Sequence, residues 1–136
     1  MSILPYAFVS GLALSLSLAS PALAQQYPSG IAKSDPAAMR AWRAIVPAQF
    51  RKYEWIYSFG GVETPIQDVT LHGKPFLSGN VCIPHDCGGN FVALLLAKDG
   101  SEAYGELASD TLRVKQRYFG TPDAEARGLL DKLISQ

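Results

Sequence analysis

The fold is decided by residues 74–97, which read KPFLSGNVCIPHDCGGNFVALLLA. Residues 91–97 form a continuous apolar run of strand length, which is typical of a central strand buried on both faces. Residues 74–81 predict a second strand, and the six residues Cys82–Cys87 lie between the two. The stretch therefore predicts an antiparallel sheet that carries a cysteine-bounded loop between two of its strands.

Further strands are predicted on both sides of this pair. Ile66–Leu71 precedes His72-Gly73, which we expect to form a tight hairpin turn because glycine accepts positive φ. His72 is then a solvated loop residue. Asp99-Gly100 predicts a second turn into a strand at Ala103–Leu107. Residues 112–118 alternate between apolar and basic side chains, which predicts a half-exposed strand with a basic outer face made of Arg113, Lys115 and Arg117.

Two helices are predicted outside the strands. Asp35-Pro36 supplies an N-cap and a proline at the first helical position, so residues 36–46 are expected to form an amphipathic helix that ends near Pro47. Thr121-Pro122 is expected to cap a C-terminal helix. The apolar face of that helix contains Ala126, Leu129, Leu130, Leu133 and Ile134.

Two segments give weaker signals. Residues 53–59 carry aromatic side chains that alternate as in a strand, but Ile56 breaks the pattern and Gly60-Gly61 ends it. Residues 25–33 are polar and contain proline and glycine, so we expect a flexible lead-in.

A helix, a run of strands and a second helix together predict a single α+β domain.

The N-terminus predicts export. Residues 3–19 are apolar or small, no charge precedes Lys33, and Ala22 and Ala24 supply the small residues of an A-x-A cleavage site. A membrane anchor is the alternative, but spanning takes about 20 apolar residues, and serines and a proline weaken this stretch. We therefore predict a signal peptide at residues 1–24 and a mature domain at residues 25–136, delivered to the periplasm.

The charge of the mature part excludes several partner classes. All 12 basic and all 12 acidic residues lie in it, so its formal charge is zero. A balanced surface offers no electrostatic footprint for nucleic acid or, after signal cleavage, for a membrane.

The sequence also contains no Ser/His/Asp arrangement or paired carboxylates that would suggest catalysis. We expect a binding protein that is not an enzyme and needs no cofactor.

The two cysteines allow three interpretations. Cys82 and Cys87 with His85 and Asp86 contain metal-binding atoms, but the spacing is unusual for zinc and a single hexapeptide would supply nearly every ligand. A redox pair normally has the spacing C-x-x-C before a helix. In an oxidising compartment, an even pair predicts a disulfide. A disulfide that closes so short a ring contributes only about 2 kcal/mol to the free energy of unfolding, so we expect it to hold a local shape.

As a rigid recognition element, each residue of the loop has a use. Pro84 fixes φ and removes conformational entropy before binding. His85 offers two ring nitrogens, and Asp86 can fix the tautomer of the ring or the turn beside it. Gly88-Gly89 allows the chain to leave the ring sharply. The favoured interpretation is a rigid loop formed by Cys82, Ile83, Pro84, His85, Asp86 and Cys87.

Three motifs stand out together: Gly60–Pro65, Val69–Leu71 with Gly73, and Cys82–Gly88 with its Pro-His-Asp core. They resemble the Ivy family, whose members are inhibitors of vertebrate lysozyme, and the resemblance covers roughly residues 39–118. The resemblance implies an exported α+β domain with a twisted antiparallel sheet, flanking helices and a protruding disulfide-closed loop. It implies c-type lysozyme as the partner, without catalysis by the inhibitor itself, and it allows either a monomer or a homodimer.

The resemblance also assigns roles within the loop. His85 would reach the catalytic acids of lysozyme, and Asp86 would support the loop. Ile83 departs from the family pattern, because members often carry lysine there. An alternative partner is an endogenous lytic transglycosylase, which has a lysozyme-like fold and one catalytic acid, so that the protein would regulate the cell's own muralytic enzymes.

Overall fold

The structure is a computed structural model that describes residues 25–136 and, before them, only Ile3, Leu16 and Ser17. The predicted cleavage site and the rest of the predicted signal peptide lie outside the described residues. Within the described part of the chain, no helix is long and apolar enough to cross a membrane.

The described domain contains four helices and one antiparallel sheet, which confirms the α+β prediction. The helices are α1 (Pro28–Ser34), α2 (Pro36–Ile45), α3 (Glu54–Tyr57) and α4 (Ala124–Ile134), with a single 3₁₀ turn at Ala48–Phe50. The strands are β1 (Val62–Glu63), β2 (Gln67–Leu71), β3 (Lys74–Ile83), β4 (Asp86–Ala97), β5 (Ala103–Ser109) and β6 (Val114–Phe119).

The sheet is centred on β4, as the apolar run predicted. Its strand order is β1-β3-β4-β5-β6, and β2 pairs with the first half of β3. Every side chain from Val92 to Ala97 is buried, because helices cover both faces of the sheet. Burial on both faces explains why this strand needs no polar alternation.

The helices divide between the two faces of the sheet. On one face α2 buries Trp42 against Phe59 and Phe119, and its indole Nε1 donates to the Ile56 carbonyl at 2.9 Å. On the other face α4 buries Ala126 and Leu130 against a second apolar cluster. The strand residues of that cluster are Leu71, Phe76, Ala93, Leu95 and Ala97.

Helix α2 matches its prediction, and the cap of α4 does not. The Asp35 carboxylate accepts from the Ala38 N–H at 3.0 Å, as expected of an N-cap. In α4 the capping residue is Asp123 rather than Thr121, since the Asp123 carboxylate accepts from the Ala126 N–H at 3.0 Å. The expectation of a Thr121-Pro122 cap is therefore wrong by two residues.

Two segments with weak signals are helical. The flexible lead-in expected at residues 25–33 is wrong, because Pro28–Ser34 forms α1. The Glu63 carboxylate accepts from both the backbone N–H and the hydroxyl of Ser29 in the first turn of that helix. The ambiguous aromatic run contains the short helix α3, which buries Trp55 and Ile56.

The predicted hairpin turn at His72-Gly73 is confirmed, with positive φ at both residues. His72 is more than a solvated loop residue, because its ring Nε2 contacts the Asp123 carboxylate at the start of α4. The half-exposed strand expected from Leu112 begins later, at Val114. Arg113 lies in the preceding turn with φ 57°, while Lys115 and Arg117 are exposed on β6.

Candidate functional site

The loop singled out by the sequence is the tip of the β3–β4 hairpin, and we call residues Cys82–Cys87 the tip. Ile83 pairs with Asp86, so that Pro84 and His85 alone make the turn. Proline fixes a negative φ at the first turn position, and His85 has φ 67° at the second. This pattern is that of a type II turn, and histidine is among the non-glycine residues that tolerate positive φ best.

A turn of this kind does not hold two strands together by itself. Two-residue hairpins favour the mirror-image turn types, whose twist matches that of the strands, whereas types I and II splay the strands apart. Pro84 excludes the mirror-image types, because they need positive φ at the first turn position. The tip therefore requires contacts outside the turn to keep its shape.

A large bulge lies directly behind the turn. Cys82 pairs with Phe91, but the next residue, Ile83, pairs with Asp86, so that four residues of β4 (87–90) have no partner on β3. Such a bulge bends its strand and re-aims the residues beyond it. The Gly88-Gly89 pair lies in this bulge, which accounts for the glycines that the sequence places after the ring.

The disulfide closes this bulge. Cys82 and Cys87 are bonded, with their Cα atoms 5.1 Å apart. The metal and dithiol interpretations both need thiolates, which this bond removes from both cysteines. Cys82 is buried and Cys87 is half-buried, so the ring is anchored to the sheet on the β3 side.

The side chains of the tip face two different environments. Pro84 and His85, which we call the apex, are exposed, and so is Asp86, the residue that follows them. Ile83 is half-buried and packs against the apolar cluster under α1–α3, so it contributes to the core as well as to the tip. In the described structure no hydrogen bond joins the Asp86 carboxylate to the His85 ring, and the expected role of that carboxylate stays a prediction.

A buried asparagine connects the tip to its neighbours, and sequence reasoning missed it. Asn90 is 2% exposed. Its Nδ2 donates to the Asp86 carbonyl at 3.2 Å. Its Oδ1 accepts from the Ser109 hydroxyl at 2.7 Å and from the Thr111 N–H at 3.1 Å. The one signal available in the sequence was a polar residue at the head of an otherwise apolar strand.

The β5–β6 turn (residues 110–113) lies against the bulge. The Asp110 N–H donates to the Gly89 carbonyl at 2.9 Å, and a Cβ at position 89 would collide with the Asp110 carboxylate. Arg113, with its positive φ, lines a shallow surface cavity of about 230 Å³ together with Lys115.

The glycine-rich segment before β1 packs on the other side of the ring. A Cβ on Gly61 would collide with the Cys82 carbonyl oxygen and the Val81 side chain. Close backbone approach therefore explains this glycine. Val62 pairs with Cys82 and is 51% exposed, so an apolar side chain lies at the surface beside the tip.

A second polar cluster lies elsewhere, between the sheet and α4. Glu106 on β5 is 2% exposed and accepts from the Gln116 amide at 2.9 Å, while its other carboxyl oxygen has no hydrogen-bond donor. Burial raises the pKa of Glu106 to about 7, with nearby Asp131 of α4 adding to the rise and Gln116 opposing it. The Tyr118 hydroxyl donates to Asp131 at 2.7 Å, which raises the pKa of Tyr118 to about 12.

Comparison with known proteins gives one informative relative. No protein-family model matches the chain. The chain is similar to a Pseudomonas aeruginosa protein named inhibitor of vertebrate lysozyme, with 28% identity over 127 aligned residues that cover 85% of this chain and 83% of the relative. This similarity confirms the resemblance to the Ivy family.

Two further relatives carry no functional name. An uncharacterized protein of Pseudomonas aeruginosa is 25% identical over 111 residues, which cover 74% of this chain and 72% of that protein. An uncharacterized protein of Yersinia pestis is 27% identical over 64 residues, which cover 47% of this chain and 42% of that protein.

Proposed function

We propose that this chain is an exported protein that inhibits c-type lysozyme by placing the tip, with His85 at its apex, in the lysozyme active site. The inhibitory role is supported by the similarity to a protein named inhibitor of vertebrate lysozyme. One structural observation carries the finer proposal: the exposed Pro84-His85 apex is displayed on a disulfide-closed hairpin. Association with a rigid element costs less ordering entropy than association with a flexible loop.

The chemistry of the apex fits the target. Lysozyme cleaves with two carboxyl groups about 5 Å apart, one protonated through a raised pKa and one ionised. The imidazole of His85 can donate to the ionised carboxylate and accept from the protonated one, or take its proton. Either result occupies the general acid and excludes the substrate, without any catalysis by the inhibitor.

Export to the periplasm is part of the same proposal. The apolar N-terminus and the Ala22-Leu23-Ala24 segment support cleavage before Gln25. A Cys82–Cys87 disulfide is compatible with that location, since disulfides persist in oxidising compartments.

A lytic transglycosylase is the second candidate target, and one observation favours testing it. With 12 basic and 12 acidic residues, the protein has no net charge to attract a strongly basic enzyme over long distances. Short-range contacts still set most dissociation rates, so a neutral surface is compatible with either target.

The test is an inhibition panel. Purified mature protein is titrated against c-type lysozyme, g-type lysozyme and a lytic transglycosylase, and residual lysis of cell walls is measured. We expect saturable inhibition of c-type lysozyme at a one-to-one ratio. Inhibition of the transglycosylase alone would favour the second candidate, and inhibition of none of the three would contradict the proposed function.

A further inference from the structure

We infer that Asn90 is a positioning residue for the tip, acting as the non-covalent counterpart of the disulfide; this inference rests on the proposed function. The β3–β4 turn belongs to a type that splays its strands, and the four unpaired residues of the bulge give the β4 side of the tip no support from β3. The disulfide restrains this segment from one side only, through Cys82. The opposite side, toward β5, needs a restraint of its own.

Asn90 provides that restraint with all of its side-chain polar atoms. Its Nδ2 donates to the carbonyl of Asp86, which is the residue that directly follows the apex. Its Oδ1 accepts from Ser109, the last residue of β5, and from the backbone of Thr111 in the next turn. The direction of the apex relative to the sheet is thus fixed by one buried amide that bridges three chain segments.

Burial makes this bridge specific. Asn90 and Ser109 are both buried, so an Asn90 side-chain atom that loses its partner has no water to replace it. The Asp110 N–H bond to the Gly89 carbonyl keeps the β5–β6 turn against the bulge, which holds the Thr111 donor in place. The amide therefore acts between two ordered elements, and the tip takes its orientation from the sheet.

The test uses Asn90→Asp, which keeps the oxygen that accepts from Ser109 and Thr111 but loses the donor to the Asp86 carbonyl. Asn80 on β3 offers a matched control, because it is also buried and its Nδ2 donates to the Leu133 carbonyl of α4 at 2.8 Å, away from the tip. Both variants should lower the melting temperature. Only Asn90→Asp should weaken inhibition of c-type lysozyme, by roughly 5- to 30-fold.

A double-mutant cycle separates positioning from a general loss of structure. In a His85→Asn background, Asn90→Asp should cost much less inhibition than in the wild type, because the residue that it positions is gone. Ser109→Ala, which removes the hydroxyl that donates to Asn90 and accepts from the Leu112 N–H, should show the same pattern more weakly. If Asn90→Asp does not fold, the Ser109→Ala result alone decides whether Asn90 positions the tip.

The outcomes separate this inference from the proposed function. Equal inhibition by the wild type and by folded Asn90→Asp and Ser109→Ala would overturn the role of Asn90 and leave the proposed function intact. An equal loss of inhibition in both His85 backgrounds, or an equal loss with Asn80→Asp, would also overturn it. A wild-type protein that inhibits no muralytic enzyme would overturn both.

Discussion

Replacing Glu106 with glutamine is expected to remove most of the fall in stability between pH 4.5 and pH 7. Burial raises the pKa of Glu106 from 4.5 to about 7, so the folded protein keeps a proton that the unfolded chain releases near pH 4.5. In this window the unfolded state binds fewer protons, and the free energy of unfolding therefore falls as the pH rises, then levels off above about pH 7.

The size of the effect follows from the same values. Raising the pKa from 4.5 to about 7 lowers the free energy of unfolding above pH 7 by about 3 kcal/mol, because each pKa unit corresponds to about 1.4 kcal/mol. Glutamine has nearly the same shape as the protonated Glu106 carboxyl and carries no charge, and its oxygen can still accept from the Gln116 amide. Glu106→Gln should therefore match the wild type near pH 4.5 and exceed its stability at pH 8 by up to about 3 kcal/mol, or about 10 °C in melting temperature.

The assay is urea and thermal unfolding of both proteins from pH 4.5 to pH 8.5, with the difference between them plotted against pH. Glu54→Gln removes an exposed carboxylate and controls for the loss of one negative charge. A difference that does not change with pH, or a Glu106→Gln protein that is less stable than the wild type at pH 8, would refute a protonated Glu106 in the folded state.

Three other predictions concern the tip and export. Intact-mass analysis of the periplasmic fraction should show a chain that begins at Gln25, whereas uncleaved protein in the inner membrane would contradict export. Replacing both Cys82 and Cys87 by serine should lower stability by about 2 kcal/mol through the lost ring, plus the cost of a serine hydroxyl at the buried position 82, but should weaken inhibition more than tenfold; unchanged inhibition would contradict a shaping role for the ring. In Ile83→Lys the aliphatic stem of the lysine should stay packed on the core, and inhibition of c-type lysozyme should strengthen up to about fivefold. Ile83→Ala should lower the melting temperature, whereas weaker inhibition by a folded Ile83→Lys protein would contradict the expected gain.

The sequence predicted the elements whose signals are local. The apolar run at residues 91–97 suits only a buried element, and its length and turn-rich borders identify a strand. Asp35-Pro36 identified the start of α2 from two adjacent residues. The Cys82–Cys87 loop was expected between two strands, and its Pro84-His85 pair forms the turn between β3 and β4, because proline restricts its own backbone wherever it occurs.

The features that were missed depend on distant residues. Helix α1 begins with Pro28-Ser29-Gly30, which resembles a loop, and its first turn is held by the carboxylate of Glu63, 34 residues away. The roles of Asn90 and Glu106 follow from the register of β4 against β5, where Asn90 pairs with Ser109 and Glu106 with Ala93. Buried polar networks of this kind appear only once strand pairing is known.

The most direct test of the central claim is the inhibition of c-type lysozyme by His85→Asn. Asparagine accepts positive φ, so the turn at φ 67° is retained while the imidazole is lost. Matched melting temperatures would verify that the fold and the tip are unchanged. We expect inhibition to weaken by roughly 30- to 1,000-fold, as for truncation of a central interface anchor. A folded His85→Asn protein that inhibits as well as the wild type would contradict the insertion of His85 between the catalytic carboxyls.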